Sequence, residues 1–348
     1  MLQSTGADPA PEPGDARAVA LRWAQRTRKF PGKELHDMGA FAAELAEVAL
    51  SSATLEVGPK IGQGAFGTIC RAELAGRGVV AVKYIDGAAG SSHALHDIMW
   101  KARSELGIVR GLAHPNVVEF LGALTHFPSD EERTDAWRIG LVMELCEGGE
   151  LNHLLHVKKV RFSVPEKIGM AKDTACGIAY LHSLKIFHRD LSTRNLLLTR
   201  AGSVKVCDFG CARQMQKTSF QPRYILGSLP WMSPEQVSGK VLSIKSDCYS
   251  FGVIMWELAT EILPFKHLDG QPLPLLQNAV AQVPDEKKAF RVCAVCPLAN
   301  LQVQGRICEM RVVALSPCRG RGCQASRGPA FKHSTTTWLA LTSLWSSL

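Results

Sequence analysis

A chain of 348 residues that is 46% hydrophobic and 21% charged has a globular composition, with room for one large domain or two modest ones. No window reaches the run of about 18 apolar residues that a spanning helix needs. Residues 1–30 hold no apolar signal core and carry Asp8, Glu12 and Asp15, which argues against a transit sequence; the reading is no membrane partner and a cytoplasmic, or else nuclear, compartment. The net charge of +8 sits at one end: from residue 284 onward nine Lys/Arg face three Asp/Glu, a surplus of +6, so the body is nearly neutral and no nucleic-acid partner is expected. Of the 11 cysteines, Cys70, Cys146, Cys176, Cys207, Cys211 and Cys248 are scattered through apolar stretches and read as reduced packing residues.

Residues 1–30 are rich in Ala, Pro and Arg and predict disorder. Met38, Phe41, Ala42, Leu45, Val48 and Ala49 recur at helical spacing and predict an amphipathic helix over 34–50 that packs on the adjacent domain. Residues 55–83 read as strand, Gly-rich turn, strand, turn, strand. There, Gly62, Gly64 and Gly67 let the backbone approach a phosphate with no Cβ in the way. A helix over 96–110 carries Asp97 and Glu105 and ends at Gly111. A strand over 117–121, a charged solvated loop over 128–135 and a strand over 139–145 follow. The pattern Ile168, Ala171, Ala175, Ile178, Ala179, Leu181 predicts one long buried helix over 164–183. Later come a buried helix ending at Thr260 and a further helix over 273–282.

The most informative stretch is 186–210, which holds Asp190, Asn195 and Asp208. A hydroxyl attacking the terminal phosphate of a nucleotide needs a carboxylate to orient it and accept its proton, and metal ions to neutralise the transferred phosphoryl group. Asn195 and Asp208 offer the hard oxygens that suit magnesium, and Asp190 is placed to take the proton. Two apolar runs, 195–199 and 203–207, flank the turn Arg200-Ala201-Gly202 and predict a hairpin that brings these groups together. His188-Arg189-Asp190 with Asn195, then Asp208-Phe209-Gly210, resembles the catalytic and magnesium loops of the eukaryotic protein kinases.

That resemblance implies an α+β, two-lobed fold: a small antiparallel sheet plus one helix, then a mostly helical lobe. It also implies ATP and Mg2+ as cofactors and a protein substrate. Gly62, Gly64 and Gly67, with Ile61, would form the lid over ATP, and Lys83 in Ala81-Val82-Lys83, held by Glu105, would clamp its phosphates. Met143 would border the adenine pocket, backbone groups of Glu144 and Cys146 would bond the base, and Ile69, Ala81 and Leu197 would sandwich it. Val109, Phe120, His188 and Phe209 would stack as an apolar spine, and Asp247 would bond the catalytic-loop backbone. Thr218, Ser219, Tyr224 and Ser228 are candidate phosphosites, with Arg189 a guanidinium for such a phosphate.

Residues 227–235, GSLPWMSPE, look like the peptide-docking loop of the tyrosine-kinase-like group, whose members mostly phosphorylate Ser and Thr. Ser192 stands where serine/threonine kinases carry Lys, and Arg194, counted with the catalytic set, resembles the tyrosine kinases' loop. The hydroxyl is therefore read as Ser/Thr in preference to Tyr. The resemblance ends near Val283, short of the family's last elements; an Arg from those would pair with Glu235, and a buried Glu235 without it would cost about 3–5 kcal/mol. The expected division is an N-terminal extension over 1–54, a kinase domain with an incomplete end over 55–283 and a basic tail over 284–348. In the tail one C-x-x-C pair, Cys293 and Cys296, is followed by the widely spaced Cys308, Cys318 and Cys323, which weighs against a zinc site. The rival to an enzyme is a nucleotide-binding scaffold with an impaired large lobe.

Overall fold

The computed structural model describes residues 41, 43–51, 54–64, 67–85, 94–126, 138–215, 219–222 and 226–266. The expectations for residues 1–40, 128–135, 273–282 and the tail lie outside them. Contacts divide the chain into two units, Met1–Ala113 with Glu119–Leu145, and His114–Val118 with Cys146–Leu348.

The first unit is an antiparallel five-stranded sheet and a helix. Strands β1 (Leu55–Gly64), β2 (Gly67–Leu74), β3 (Gly78–Ile85), β4 (Phe120–His126) and β5 (Arg138–Glu144) lie in the order β1-β2-β3-β5-β4, and helix α1 spans Ala94–Val109. One face of the sheet holds an apolar cluster of Leu55, Ala72, Val80, Val82, Tyr84, Leu124 and Val142. Alternation along β3 therefore sends Ala81 and Lys83 to the other face.

Among the described residues, 41 and 43–47 are helical, and the helix stops before residue 50. Its chain is captured by β4: Ala123 donates to the Val48 carbonyl and accepts from the Leu50 amide, each at 2.8 Å. Phe41 and Leu45 are buried, and Glu44 pairs with Arg103 of α1 at 3.2 Å.

The second unit is mostly helical. Its elements are β6 (Gly149–Glu150), α2 (Val164–Ser183), β7 (Ile186–Phe187), β8 (Leu196–Leu198), β9 (Val204–Val206), β10 (Arg213–Gln214), β11 (Ser219–Phe220), α3 (Pro234–Val237), β12 (Leu242–Ser243) and α4 (Ile244–Thr260). Helix α2 starts at a capping box, Ser163 with Glu166, and has Pro in its first turn. The Ser163 hydroxyl and amide both donate to the Glu166 carboxylate and hold its pKa below the usual value. Its buried residues Met170, Ala171, Thr174, Gly177, Ile178 and Leu181 form one helical stripe.

The strand expected at 117–121 begins instead at Phe120. The preceding segment pairs in the second unit, with the Val118 amide on the Val206 carbonyl and the Val206 amide on the Asn116 carbonyl, both at 2.9 Å. A Cβ on Gly177 would come within 2.6 Å of that Asn116 carbonyl, so α2 needs a glycine there.

Candidate active site

The first unit gathers its share of the expected site by strand register. Residues directly opposite in neighbouring antiparallel strands project to the same face. Lys83 lies opposite Ile69 and Leu141, Ala81 opposite Met143, and Gly62 opposite Ile69. Gly62, Ile69, Ala81, Lys83 and Met143 are thereby brought to one face although they span 82 positions of sequence. Gly64 pairs with Gly67 where β1 turns into β2, and Ile61 is 49% exposed. The Glu144 amide donates to the Glu119 carbonyl at 3.0 Å, and its carboxylate accepts from the Glu119 amide at 2.8 Å.

Gly67 is needed for a further reason. Its φ is +153°, and a Cβ there would fall 1.7 Å from the Tyr84 carbonyl oxygen. The close approach of β3 demands glycine at this position whatever lies above the lid.

Lys83 and Glu105 are both buried, with Nζ 2.7 Å from Oε1. Glu105 projects from α1 two residues after Arg103, roughly the opposite side of the helix from the side chain that holds the N-terminal helix. A desolvated ammonium this close to a carboxylate is held at one point in space, since breaking a buried pair leaves an uncompensated charge.

The second unit gathers Asp190, Asn195 and Asp208 through hydrogen bonds rather than through one element. The β8–β9 hairpin pairs Leu196 with Val206, and the Cys207 amide donates to the Asn195 carbonyl at 3.0 Å. The Asn195 side-chain amide donates to the Asp190 carbonyl at 2.7 Å. The His188 ring lies 2.9 Å from the Cys207 carbonyl and 5.4 Å, centroid to centroid, from the Phe209 ring. Asp208 has φ +61° and accepts from the Gly210 amide at 3.3 Å. Leu197, on β8 opposite Glu150 and Lys205, is half-buried, and Cys146 is buried. Arg194 is exposed, its guanidinium 5.4 Å over the Trp231 ring.

The donor chemistry fits magnesium. Asn195 donates from its side-chain nitrogen to the Asp190 carbonyl, which leaves its amide oxygen free to act as an acceptor, and Asp208 supplies a carboxylate. Among the described residues no group of three or more His, Cys, Asp and Glu could hold a metal ion. Mg2+ is ordinarily held by one or two protein oxygens together with substrate phosphates, so an amide and a carboxylate suffice.

The profile of the family described as protein tyrosine and serine/threonine kinase matches residues 55–288. The chain belongs to that family. It is 38% identical over 219 residues to serine/threonine-protein kinase CTR1 of Arabidopsis thaliana, covering 62% of this chain and 25% of that one. It is 31% identical over 291 residues to the RAF proto-oncogene serine/threonine-protein kinase of Xenopus laevis, covering 82% and 42%. It is 37% identical over 210 residues to the dual specificity protein kinase shkD of Dictyostelium discoideum, covering 60% and 26%. The chain thus spans between a quarter and about two-fifths of the length of these relatives.

Around this kinase constellation the structure adds residues that motif reading passed over. Asp247 of α4 accepts from the His188 and Arg189 amides, each at 3.0 Å, as the resemblance implies, and also lies 2.9 Å from the His182 ring. Burial alone would raise the Asp247 carboxyl; the His182 hydrogen bond and charge, with the His188 ring and amide, outweigh it and hold its pKa below the ordinary value. Gln236 donates to the Arg189 and Leu226 carbonyls at 2.8 Å, and the Ser228 amide donates to the Asp190 carboxylate at 2.7 Å. His182 lies in α2 and Gln236 in α3, outside any motif, so only spatial contact reveals them.

Among the candidate phosphosites, Ser219 pairs with Ser243 in β11–β12, while Thr218 and Tyr224 lie outside the described residues. Arg189 is held by the Cys211 carbonyl and lies 5.6 Å over the Phe220 ring, which Arg213 approaches to 4.6 Å. Burial, with the Arg213 charge, pushes the Arg189 pKa below its usual value. Glu235 is half-buried and accepts from the Ser246 hydroxyl at 2.9 Å, so its carboxylate is neither fully desolvated nor without a donor.

Proposed function

We propose that this chain transfers the γ-phosphoryl group of ATP to a hydroxyl of a protein substrate, with serine and threonine preferred to tyrosine. The observation that carries the proposal is the locked set in the second unit: the Asn195 side-chain amide bonds the Asp190 carbonyl, and Cys207, next to Asp208, is held by the Asn195 carbonyl and the His188 ring. The names of the relatives, two serine/threonine-protein kinases and a dual specificity kinase, support a transferase over a nucleotide-binding scaffold. They also agree with the tyrosine-kinase-like docking loop at 227–235.

Asp190 orients the substrate hydroxyl and accepts its proton as the oxygen attacks the γ-phosphorus. The bond from the γ-phosphorus to the bridging oxygen breaks, and ADP leaves. Asn195 and Asp208 would hold magnesium, which would offset the charge on the phosphate oxygens. Lys83, fixed by Glu105, pairs with the α- and β-phosphates, and the segment bearing Gly62, Gly64 and Gly67 covers them. Ile61, Ile69, Ala81, Met143 and Leu197 supply apolar contact for adenine, and backbone groups of Glu144 and Cys146 bond its edge. Arg194 stands beside the docking loop. The domain so defined covers 55–283, preceded by an extension and followed by a basic tail.

The test is phosphate transfer to a generic basic protein with ATP and Mg2+, followed by phosphoamino-acid analysis. Asp190→Asn is expected to lower the rate by about 10²- to 10⁴-fold, the usual worth of general base catalysis. Equal rates for the two proteins would defeat the proposal.

A further inference from the structure

Glu257, in the C-terminal half of α4, is fully buried at 0% exposure. Such a carboxylate is tolerated only where donors replace the water it has lost. Its donors come from three separate stretches of chain. Trp231 Nε1 donates to Oε2 at 2.8 Å, Thr193 Oγ1 to Oε1 at 2.9 Å, and the His156 ring lies 2.6 Å from Oε1. Asn152 donates to Thr193 Oγ1 at 2.9 Å and reaches Oε1 at 3.5 Å.

Two of these donors sit on segments that the reaction uses. Thr193 opens the short turn Thr193–Asn195, which ends in the proposed magnesium ligand. Trp231 ends the turn Leu229–Trp231, which follows Ser228, whose amide holds the Asp190 carboxylate. Trp231 is 1% exposed, and its carbonyl accepts from Ser250 Oγ, also on α4, at 2.8 Å. One carboxylate on a rigid helix is therefore the shared acceptor of the docking segment and of the segment bearing Asn195.

We propose that Glu257 is a positioning residue for protein-substrate docking, setting the spacing between the Leu229–Trp231 turn and the Thr193–Asn195 turn by accepting from both. This rests on the kinase reading given above. The carboxylate presents acceptors on both oxygens, whereas an amide of the same shape presents one acceptor and one donor. In Glu257→Gln the NH₂ group must face either Trp231 Nε1–H or the Thr193 and His156 donors, so one side of the link is lost.

The experiment compares wild type, Glu257→Gln and Trp231→Phe in the full chain. Both variants are expected to raise KM for the protein substrate about tenfold, the worth of one hydrogen bond to a charged group, with KM for ATP unchanged. The double variant should be no worse than the more affected single one. Amide hydrogen exchange supplies a readout independent of turnover: in Glu257→Gln the Trp231 and Met232 amides, bonded to Ser228 and Leu229, and the Asn195 amide should exchange faster, while α2 keeps its protection. If wild type phosphorylates no protein, the proposed function fails while the exchange pattern still decides the positioning role. Uniform loss of protection through α2, unchanged exchange at Trp231 and Asn195, or additive KM effects would overturn it. Should Glu257→Gln not fold, Trp231→Phe alone decides, since an unaltered substrate KM in that variant contradicts the link.

Discussion

Gly227 sits with φ +116° directly against Arg189: a Cβ at Gly227 would lie 2.7 Å from the Arg189 carbonyl and 3.4 Å from the Asp190 carboxylate. This contact passes the docking segment so close to the proposed base that the next amide, of Ser228, reaches Asp190 Oδ1 at 2.7 Å. L side chains rarely adopt this backbone conformation, and the atom in the way is backbone, which cannot rotate aside.

Gly227→Ala is therefore expected to displace the docking segment, free the Asp190 carboxylate from the Ser228 amide and lower phosphate transfer about tenfold or more, the worth of one charge-assisted hydrogen bond. Far-UV circular dichroism should be unchanged because the site lies outside the helices. Full activity in the alanine variant would contradict the assignment.

The Lys83–Glu105 pair gives an asymmetric stability prediction. Glu105→Gln removes the carboxylate 2.7 Å from the buried Lys83 ammonium and is expected to cost about 3–5 kcal/mol. The double substitution Lys83→Met with Glu105→Leu removes both charges and should be far nearer to wild type in urea unfolding, although inactive. Equal destabilisation of the two proteins would mean that packing, and not charge, holds this point.

Acid should weaken the second unit through Asp247. Its folded-state pKa is held below the ordinary carboxyl value, so the unfolded chain binds the proton more readily. The stabilisation is complete above the unfolded value, about pH 4, and is lost as pH falls from there through the lower folded value. Asp247→Asn should lower stability at pH 7 and flatten the decline below pH 4. An identical acid slope in wild type and variant would exclude Asp247 as the source.

The attachment of the N-terminal helix is expected to be apolar in origin. Leu45 is 1% exposed, so Leu45→Ala should destabilise the first unit by about 2–5 kcal/mol. The Glu44–Arg103 side chains are about a third exposed, so Glu44→Gln should cost no more than about 1 kcal/mol. Thermal unfolding of the two variants separates these contributions, and a larger effect from Glu44→Gln would reverse the assignment.

The reading of helices from periodicity came close because apolar spacing and end signals are local. Helix α2 runs over Val164–Ser183, with Ser163, Pro165 and Glu166 announcing its start. Where a segment's partner is remote the reading slipped. Val117 and Val118 look like the start of a strand, but the Val118 amide and the Asn116 carbonyl on either side of Val117 pair with Val206 of β9, so the strand begins at Phe120. The helix read to residue 50 stops at 47 because β4 offers its backbone to Val48 and Leu50 a better partner than another helical turn.

The sequence alone determined the chemical inventory and the family, since Asp190, Asn195, Asp208 and the glycine run lie at short, fixed spacings that a motif can carry. Tertiary structure alone decided which groups hold that inventory in place. Asp247 was legible through the family's pattern, but Gln236 and Glu257, which act across separations of 26 to 105 residues, were not. A buried carboxylate or amide is defined by the donors and acceptors that surround it, and those are assembled only when distant segments fold against one another.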